Sequence, residues 1–406
     1  MGWPLRPTFT LDDFFGSDIV YCQRISPTAC RWLPFEAPSM DMMTGGSLSI
    51  TGEMPHVCSA AVSTPKALQL LKDAGLPVPG KDLFRYRDKG DYIRLLRELS
   101  RKGKKVAAQY LHDGSELPDT NCWIPPAVHS FVNNKANLGA MVDACCLPRR
   151  AIVPFTGLAG HLSSHPLPLV VKAVTDESTG AGLDVVICET PCDVRRAEEL
   201  FGICEYVVVE EFLQISRNLC LNYAVTPMGE TIFLGCAEQL SDRNGLYLGN
   251  WLGDGIEAPA EAVEIGVRVV KRGFNLGYFG LVGIDMAVLN DGRIMVFDLN
   301  FRINGSTTPL LLAKSVMATF GRPLIRVDRF VGTGAYQEMI DVVYGEMGKG
   351  KLVPVASYDP EAGGYPAGQP RLIAMVLGET RDEVDEYKRE LEGMGLLGTS
   401  YRKEER

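Results

Sequence analysis

The segment from Gly283 to Ser306 constrains the fold of this chain more than any other stretch, because apolar and polar residues alternate on both sides of a turn. Ile284, Met286 and Val288 occupy every second position before the turn at 290–292, which reads Asn-Asp-Gly. An Asp-Gly pair between two alternating runs is the strongest short-range signal for a β-hairpin. We therefore predict two antiparallel strands with one apolar face and one polar face.

The polar side chains of this hairpin are concentrated at one end. Because side chains repeat every two residues along a strand, Asp298, Asn300 and Arg302 share a face of the returning strand. Pairing about the turn brings Asp285, on the first strand, to the same end. Two carboxylates and an amide oxygen suit a hard cation such as Mg²⁺, and Mn²⁺ takes the same oxygen ligands. We predict that Asp285, Asp298 and Asn300 hold a metal; the alternative is the solvated face of an ordinary hairpin.

A single charge, Lys172, interrupts the apolar run 167–174. An unpaired buried ammonium is unfavourable, so this lysine needs a partner or a ligand. The residues at 178–182, Ser-Thr-Gly-Ala-Gly, are small and let backbone N–H groups approach phosphate oxygens closely. A flexible turn is the alternative interpretation of this loop.

A further predicted strand at 206–213 is apolar and then abruptly acidic, with Glu210 and Glu211 followed by Phe212 and Leu213. This pattern fits a connector whose backbone contacts an adenine edge while a carboxylate holds the ribose. A strand end that enters solvent has the same pattern.

Taken in this order, these features resemble the ATP-grasp superfamily, and the resemblance covers roughly residues 131–330. It adds Lys135, in the segment 134–138, as a lysine of the opening helix that reaches the phosphates. The fold class it implies is α/β (α+β), with two α+β lobes clasping ATP behind an N-terminal α/β domain. Many members of the superfamily carry Glu at the position of Asp298, where the shorter side chain still reaches a metal.

The resemblance also implies a role for each matching residue. Arg302 is expected to be catalytic, since it stabilises the transferring phosphoryl group. Arg243, in a polar loop spanning 237–250, and Ser306 are expected to bind the substrate. The residues expected to contact ATP are Lys135, Lys172, Ser178, Gly180, Gly182, Glu210, Glu211, Phe212 and Leu213.

The same reasoning predicts three parts of the chain. Residues 1–130 form the N-terminal pre-ATP-grasp domain, and residues 131–330 form the ATP-grasp lobes. Within the latter, the small lobe covers about 150–212 and the metal-binding lobe about 213–330. Residues 331–406 form a C-terminal part.

Composition excludes several other classes of protein. The formal net charge of −9 and the pI near 5.3 disfavour nucleic-acid binding. No stretch reaches the length of a membrane span, and no Gly-x-Gly-x-x-Gly motif of a dinucleotide oxidoreductase follows a strand. The 11 cysteines are scattered and odd in number, so we expect no disulfide framework and a cytoplasmic location. Homo-oligomer formation stays open.

The chemistry implied by the superfamily is ATP-dependent activation of a carboxylate as an acyl phosphate, followed by transfer to a nucleophile. An ATP-binding regulator without activity would tend to lose the metal ligands and Arg302, so an enzyme is favoured. Overall similarity favours ligases of antibiotic biosynthesis, such as the butirosin-pathway enzyme that loads glutamate onto the pantetheine thiol of an acyl carrier protein. The alternative is a peptide ligase of the pheganomycin type, which forms an amide with an amino acid or peptide. The substrates would be a small amino acid and, for the thiol reaction, a carrier protein.

Overall fold

The structure is a computed structural model that describes residues 4–33, 37–80 and 82–398. Helices and strands alternate along the first part and strands dominate the middle, so the predicted mixed α/β class is confirmed. The last residues of the predicted C-terminal part, 399–406, lie outside the described residues.

The N-terminal domain is built around a parallel sheet of four strands in the order β3-β2-β1-β4. Parallel strands need crossover connections: α3 connects the neighbours β2 and β3, and α4 connects β3 to β4 at the opposite edge of the sheet. Both helices begin at a side-chain cap: Thr64 accepts from the N–H of Ala67, and Asp88 from that of Asp91. Its elements are α1 Leu11–Phe15, β1 Ile19–Cys22, α2 Ala37–Met43, β2 His56–Ser59, α3 Pro65–Asp73, β3 Leu83–Tyr86, α4 Lys89–Arg101 and β4 Lys105–Ala108.

A second, antiparallel sheet of four strands, in the order β5-β8-β6-β7, forms the next unit and is reached through two short helices. Helices α7 and α8 cover it, and Phe201 of α8 is fully buried with Val171 and Val209 of the sheet. The elements of this region are α5 Pro126–Asn133, α6 Leu138–Met141, β5 Arg150–Pro154, α7 Leu158–Ser163, β6 Leu169–Ala173, β7 Val185–Cys188, α8 Pro191–Phe201 and β8 Tyr206–Glu211.

A nine-stranded antiparallel sheet follows, with the path β13-β12-β9-β10-β11-β14-β16-β15 and β17 paired to β14. The predicted hairpin is its β12–β13 edge, turning at Gly292 with a φ of 86°. Its elements are β9 Ile215–Val225, β10 Thr231–Ser241, β11 Tyr247–Gly253, α9 Ala260–Asn275, β12 Gly280–Leu289, β13 Ile294–Asn300, α10 Thr307–Phe320, β14 Leu324–Gly332, α11 Tyr336–Gly348, β15 Leu352–Tyr358, β16 Arg371–Gly378, α12 Arg381–Gly393 and β17 Leu396–Gly398.

The strands after residue 331 do not form a sheet of their own. Strand β14 pairs with β11 on one side and with β16 on the other, so the C-terminal strands continue the sheet that carries the metal hairpin. A hydrophobic core joins this sheet to the N-terminal domain, with Phe14 and Leu48 packed in the same cluster as Val327 and Val355. This core holds the N-terminal domain against the large sheet.

None of the helices within the described ranges is long and apolar enough to cross a membrane. The longest run of helical residues, α9, buries one stripe against β9 and β10 and exposes charged side chains elsewhere.

Candidate active site

A cavity of about 350 Å³ opens between the small sheet, the large sheet and the N-terminal domain. Its size suits a small-molecule ligand. Of the residues predicted for the site, only Ser178 and Arg243 do not line it. Those that do are Lys135, Lys172, Gly180, Gly182, Glu210, Glu211, Phe212, Leu213, Asp285, Asp298, Asn300, Arg302 and Ser306.

The hairpin places its two carboxylates opposite one another, because Asp285 on β12 pairs in register with Asp298 on β13. Asn300 Nδ2 donates to Asp285 Oδ2 at 3.0 Å, and Gln239 Nε2 donates to Asp285 Oδ1 at 2.7 Å. Asp285 and Asn300 are both 8% exposed at the wall of the cleft. The predicted metal ligands are therefore brought together, and Gln239 of β10 joins them.

The two carboxylates differ in proton affinity. Burial, and then the neighbouring charge of Asp298, raise the pKa of Asp285 to about 7. Burial also acts to raise the pKa of Asp298, but the charges of Lys135, Lys172 and Arg302 outweigh it, so that this pKa lies below its ordinary value. Two carboxylates this close favour either a shared proton or a bound cation.

Lys135 reaches the carboxylates from the other side of the cleft. Its Nζ lies 3.0 Å from Asp184 Oδ2 and 3.3 Å from Asp298 Oδ1, and its side chain is 8% exposed. Burial acts to lower the pKa of this lysine, but Asp184 and then Asp298 raise it above the ordinary value. Asp184 cannot be recognised as a site residue from the sequence alone; the available signal is an acid directly before the apolar run 185–188.

Lys172 finds both a carboxylate and a carbonyl. Its Nζ lies 2.7 Å from Glu210 Oε2 and donates to the carbonyl of Phe297 at 2.6 Å. Arg150 Nε lies 3.6 Å from the other oxygen of Glu210. A charged side chain that is only 6% exposed thus links the small sheet to β13 beside Asp298.

The predicted adenine connector is the link between β8 and β9, and it passes from the small sheet to the large one. Glu211 is tied to Arg149, which donates from its backbone N at 2.8 Å and from Nε at 2.9 Å. Phe212 and Leu213 follow as half-buried residues at the cleft wall. Both connector carboxylates therefore have cationic partners, and the two residues after them are open to a ligand.

The glycine loop at 178–182 closes over the cleft. Gly182 has a φ of 78°, and a Cβ there would come 2.3 Å from the carbonyl oxygen of Gly245, so only glycine fits. Tyr247 N donates to the carbonyl of Ala181 at 3.1 Å, which docks the loop onto the β10–β11 hairpin. Ser178, the first residue of the loop, does not line the cleft, and its hydroxyl is buried with no hydrogen-bond partner among the described residues.

Arg302 lies two residues after the end of β13 and contacts three regions. Its Nη1 donates to Asn133 Oδ1 and its Nη2 donates to the carbonyl of Thr179, both at 3.2 Å. The guanidinium carbon lies 5.3 Å from the ring centroid of Tyr110, in the N-terminal domain. This arginine is held in the cleft within reach of the loop, the hairpin and the N-terminal domain.

The two predicted substrate residues differ in position. Ser306 lines the cleft, but its hydroxyl donates to Asn304 Oδ1 at 2.7 Å and accepts from Asn222 Nδ2 at 3.0 Å. Arg243 is exposed in the turn after β10 and does not line the cleft.

The prediction of a long loop at 237–250 is wrong, because most of this segment forms parts of the paired strands β10 and β11. The polar composition that indicated a loop has another cause: residues such as Gln239 and Asn250 are polar where a strand face lines the cleft.

The N-terminal domain supplies part of the wall, which sequence reasoning missed. Gln23 follows β1, and Gln109 and Tyr110 follow β4, so all three lie at the carboxyl edge of the parallel sheet. Ligands bind at that edge in open α/β sheets. Gln109 Nε2 donates to the carbonyl of Ile303 at 2.9 Å and connects this domain to the loop after Arg302.

The residues present fit both a nucleotide and a divalent cation. Asp285 and Asp298 pair in register, and the pKa of Asp285 is raised. A bound cation would relieve the repulsion between these two carboxylates, and the adjacent amide adds a third oxygen ligand. Within the described part of the chain, no cluster of three or more His, Cys, Asp or Glu side chains forms a metal site. The proposed set is instead two carboxylates and one amide, which leaves positions for phosphate oxygens and water.

Comparisons with known proteins agree with this geometry. Two models of one family match the chain: the ATP-grasp domain of L-aspartate–L-methionine ligase matches residues 148–300, and the N-terminal domain of the same ligase matches residues 10–130. Between them they account for most of the chain from residue 10 to residue 300.

Solved structures resemble the whole chain at low sequence identity. An ADP complex of N5-carboxyaminoimidazole ribonucleotide synthetase has a TM-score of 0.60 at 13% identity, with 95% of this chain and 98% of that chain covered. The Staphylococcus aureus enzyme with ADP gives 0.56 at 13% identity, covering 95% and 99%. The biotin carboxylase domain of Hydrogenobacter thermophilus 2-oxoglutarate carboxylase, with MgADP and bicarbonate, gives 0.51 at 13%, covering 94% and 91%.

These likenesses extend over the three sheets described above, and the family models add the N-terminal domain and the lobes that bear the cleft. The predicted fold of two lobes behind an N-terminal domain is confirmed, whereas no comparison supports the butirosin or pheganomycin relatives. The chain belongs to the ATP-grasp superfamily and is an ATP-dependent carboxylate ligase.

Proposed function

We propose that this enzyme joins two amino acids, activating the carboxylate of one as an acyl phosphate with MgATP and passing the acyl group to the amine of the other. The observation that carries the proposal is the convergence of Lys135, Lys172 and Arg302 with the Asp285–Asp298 pair in one cleft. Phosphoryl transfer depends mainly on positioning and charge neutralisation, and this set offers both.

The bond changes follow from that chemistry. A carboxylate oxygen attacks the γ-phosphorus and ADP leaves; the amine then attacks the acyl carbon, phosphate leaves, and the amine releases its proton. Mg²⁺, held by Asp285, Asp298 and Asn300, would neutralise β- and γ-phosphate oxygens. Mn²⁺ is an alternative occupant of the same oxygen set.

The chain's own residues have distinct tasks in this scheme. Lys135 and Lys172 bind phosphate oxygens, and Arg302 stabilises the charge on the transferring group. The loop bearing Gly180 and Gly182 covers the phosphates and excludes water, which would otherwise hydrolyse the acyl phosphate. The connector at Phe212 and Leu213 would bind the adenine edge.

Aspartate as the acid and methionine as the amine are the first substrates to test, since both matching family models describe an L-aspartate–L-methionine ligase. From the sequence alone, transfer of glutamate to a carrier-protein thiol is the first expectation. The family description favours its alternative, amide formation with an amino acid. The described cysteines are all free, which suits the cytoplasmic location proposed from the sequence.

The test incubates the protein with MgATP and single amino acids in the presence of hydroxylamine. Acyl hydroxamate with ADP and phosphate is expected, and aspartate should give the largest yield. Adding methionine in place of hydroxylamine should yield aspartyl-methionine, identified by mass and by fragmentation.

Three results would contradict the proposal in different ways. AMP and pyrophosphate in place of ADP and phosphate would indicate adenylation. Hydroxamate without any dipeptide across all twenty acceptors, together with a mass gain on a holo carrier protein, would restore the thiol reading. No hydroxamate with any amino acid would exclude amino-acid activation altogether.

A further inference from the structure

The cleft is also lined by a group of residues that are not among the predicted ATP or metal contacts. These residues belong to strands β11, β14 and β16 and to helix α2 of the N-terminal domain. We call this part of the cleft the acceptor end, and it is defined by Met43, Tyr247, Asn250, Val327, Arg329 and Ile373.

Tyr247 connects the acceptor end to the loop that follows the metal hairpin. A Cβ on Gly305 would come 2.4 Å from the Tyr247 hydroxyl, so this ring packs directly against the loop that begins after Arg302. Asn250 Nδ2 donates to the same hydroxyl, while Asn250 Oδ1 is buried with no hydrogen-bond partner among the described residues. The ring is thereby fixed from two sides, beside an acceptor atom that a ligand amine could use.

Arg329 lies over this fixed ring, with its guanidinium carbon 5.5 Å from the ring centroid. An aromatic face supports the plane of a guanidinium through cation–π attraction, which orients the fork of N–H donors. A planar fork of that kind recognises a carboxylate with two parallel hydrogen bonds. Arg329 lines the cleft, and its guanidinium has the shape and charge that a carboxylate ligand requires.

The acidic neighbour of Arg329 along β14 is already balanced by other cations. Asp328 lies 2.7 Å from Arg326 Nε and 2.9 Å from Lys388 Nζ, and it is 3% exposed. Asp328 also borders the cavity, but Arg326 of β14 and Lys388 of α12 neutralise its charge. Asp328 therefore repels a carboxylate that binds at Arg329 only weakly.

The other walls of the acceptor end are apolar. Met43 comes from α2, Val327 precedes Arg329 by two positions on the same face of β14, and Ile373 comes from β16. A ligand that carries both a negatively charged group and an apolar side chain would match Arg329 and these apolar walls. A free apolar L-amino acid has that chemistry, whereas aspartate has a second charge that the apolar walls would leave unpaired.

We propose that Arg329, supported by Tyr247, binds the α-carboxylate of the acceptor amino acid, and that Met43, Val327 and Ile373 receive its apolar side chain. This assignment rests on the proposed ligase function. It makes Arg329 a determinant of acceptor affinity and separates it from Arg302, which serves the phosphoryl group.

The test compares methionine with methioninamide, which lacks the carboxylate, as acceptors for wild type, Arg329→Gln and Arg329→Lys. We expect Arg329→Gln to raise the KM for methionine roughly 10- to 100-fold and to abolish the preference for methionine over the amide. Arg329→Lys should lie between the two, since it keeps the charge without the fork. The KM for aspartate and the yield of aspartyl hydroxamate should stay within about twofold of wild type, and Arg322→Gln, at an exposed ion pair just before the same strand, serves as the matched control.

Other outcomes would overturn the assignment. An unchanged KM for methionine, or an unchanged preference over methioninamide, would show that Arg329 does not bind that carboxylate. A rise in the KM for aspartate alone would move Arg329 to the acid site. Loss of hydroxamate from Arg329→Gln would place this residue in phosphoryl transfer, whereas absence of hydroxamate from the wild type would remove the proposed function and this inference with it.

Discussion

Two of the places where the protein buries charge differ in what surrounds them. In the N-terminal domain Arg24 Nε donates to Asp41 Oδ1 at 3.1 Å, Tyr86 donates to the same oxygen at 2.8 Å, and the rings of Tyr86 and Tyr92 flank the guanidinium. We call these four residues the closed cluster. In the cleft Lys135 and Lys172 face Asp184, Glu210 and Asp298, and we call these five residues the open cluster.

Burial alone does not distinguish the two clusters. The side chains of Arg24 and Asp41 are 3% exposed, while those of Lys172 and Glu210 are 6% and 3% exposed. The difference is that the open cluster borders a cavity of about 350 Å³, whereas aromatic rings and protein acceptors fill the space around Arg24. A buried ion pair therefore indicates a ligand site only when the same charges also border a cavity.

The largest effect should come from the open cluster. Asp298→Asn should lower kcat by roughly 1,000-fold, because a metal ligand and a phosphate-side charge are lost together, with little change in thermal stability. ADP release with aspartate and methionine measures the rate, and Asp291→Asn, in the exposed turn of the same hairpin, is the matched control. Activity of Asp298→Asn within tenfold of wild type would remove the metal assignment.

Substitution in the closed cluster should affect folding and not chemistry. Arg24→Met leaves Asp41 buried without its cation, which should lower the free energy of unfolding by about 3–4 kcal/mol, measured by urea denaturation. The double variant Arg24→Met/Asp41→Leu should recover part of that loss. If Arg24→Met unfolds within 1 kcal/mol of wild type yet loses catalysis, the closed cluster belongs functionally to the cleft and the distinction fails.

The N-terminal domain should also lose stability in acid. Burial lowers the pKa of His56 to about 4, below its unfolded value of 6.5, while Nε2–H donates to the carbonyl of Thr44 at 3.0 Å. A lowered pKa means that the neutral ring stabilises the fold above pH 6.5 and that this contribution is lost as the pH falls toward 4.

The variant His56→Gln keeps a hydrogen-bond donor but has no titratable group. Comparing it with wild type therefore isolates the contribution of the titrating ring. The stability gap between wild type and His56→Gln should narrow by about 2 kcal/mol between pH 7 and pH 4.5. A gap that stays constant over this range would show that the ring does not titrate in this way.

The smallest expected effect is the pH dependence that Asp285, in the cleft, gives to stability. Its sign is opposite to that of His56. The pKa of Asp285 is raised to about 7, so in the metal-free protein its contribution to stability is full below the unfolded value of 3.8 and is lost as the pH rises through 7. A metal requires the deprotonated form, so Mg²⁺ should raise the melting temperature more at pH 8 than at pH 6, by the equivalent of about 1 kcal/mol. Asp285→Asn should remove this difference, and an equal Mg²⁺ effect in wild type at both pH values would contradict the assignment.

Part of this site could be predicted because several of its functional residues lie close together in the sequence. The period of two and the Asp-Gly turn were enough to predict the hairpin and to bring Asp285 near Asp298. Lys172 was recognisable as a charge within an apolar strand, although its partner Glu210 lies on a neighbouring strand and could not be named from spacing.

The remaining features depend on contacts between distant segments. Asp184, Gln109 and Arg329 reach the cleft through three different sheets, so no local pattern relates them. The polar stretch around Arg243 misled because a strand that faces a polar cavity and a solvated loop have the same composition. Interactions of that kind become visible only when the sheets are assembled.

The strand order around β14 has a consequence for how the chain is made. Strand β14 is completed on one side by β11 and on the other by β16, so residues 371–378 must leave the ribosome before the sheet reaches its final width. During that interval the flank of β14 that carries Arg329 offers unpaired backbone groups to other chains. We expect nascent chains halted before residue 371 to require chaperone protection, even though every proposed metal ligand and phosphate contact has by then been synthesised.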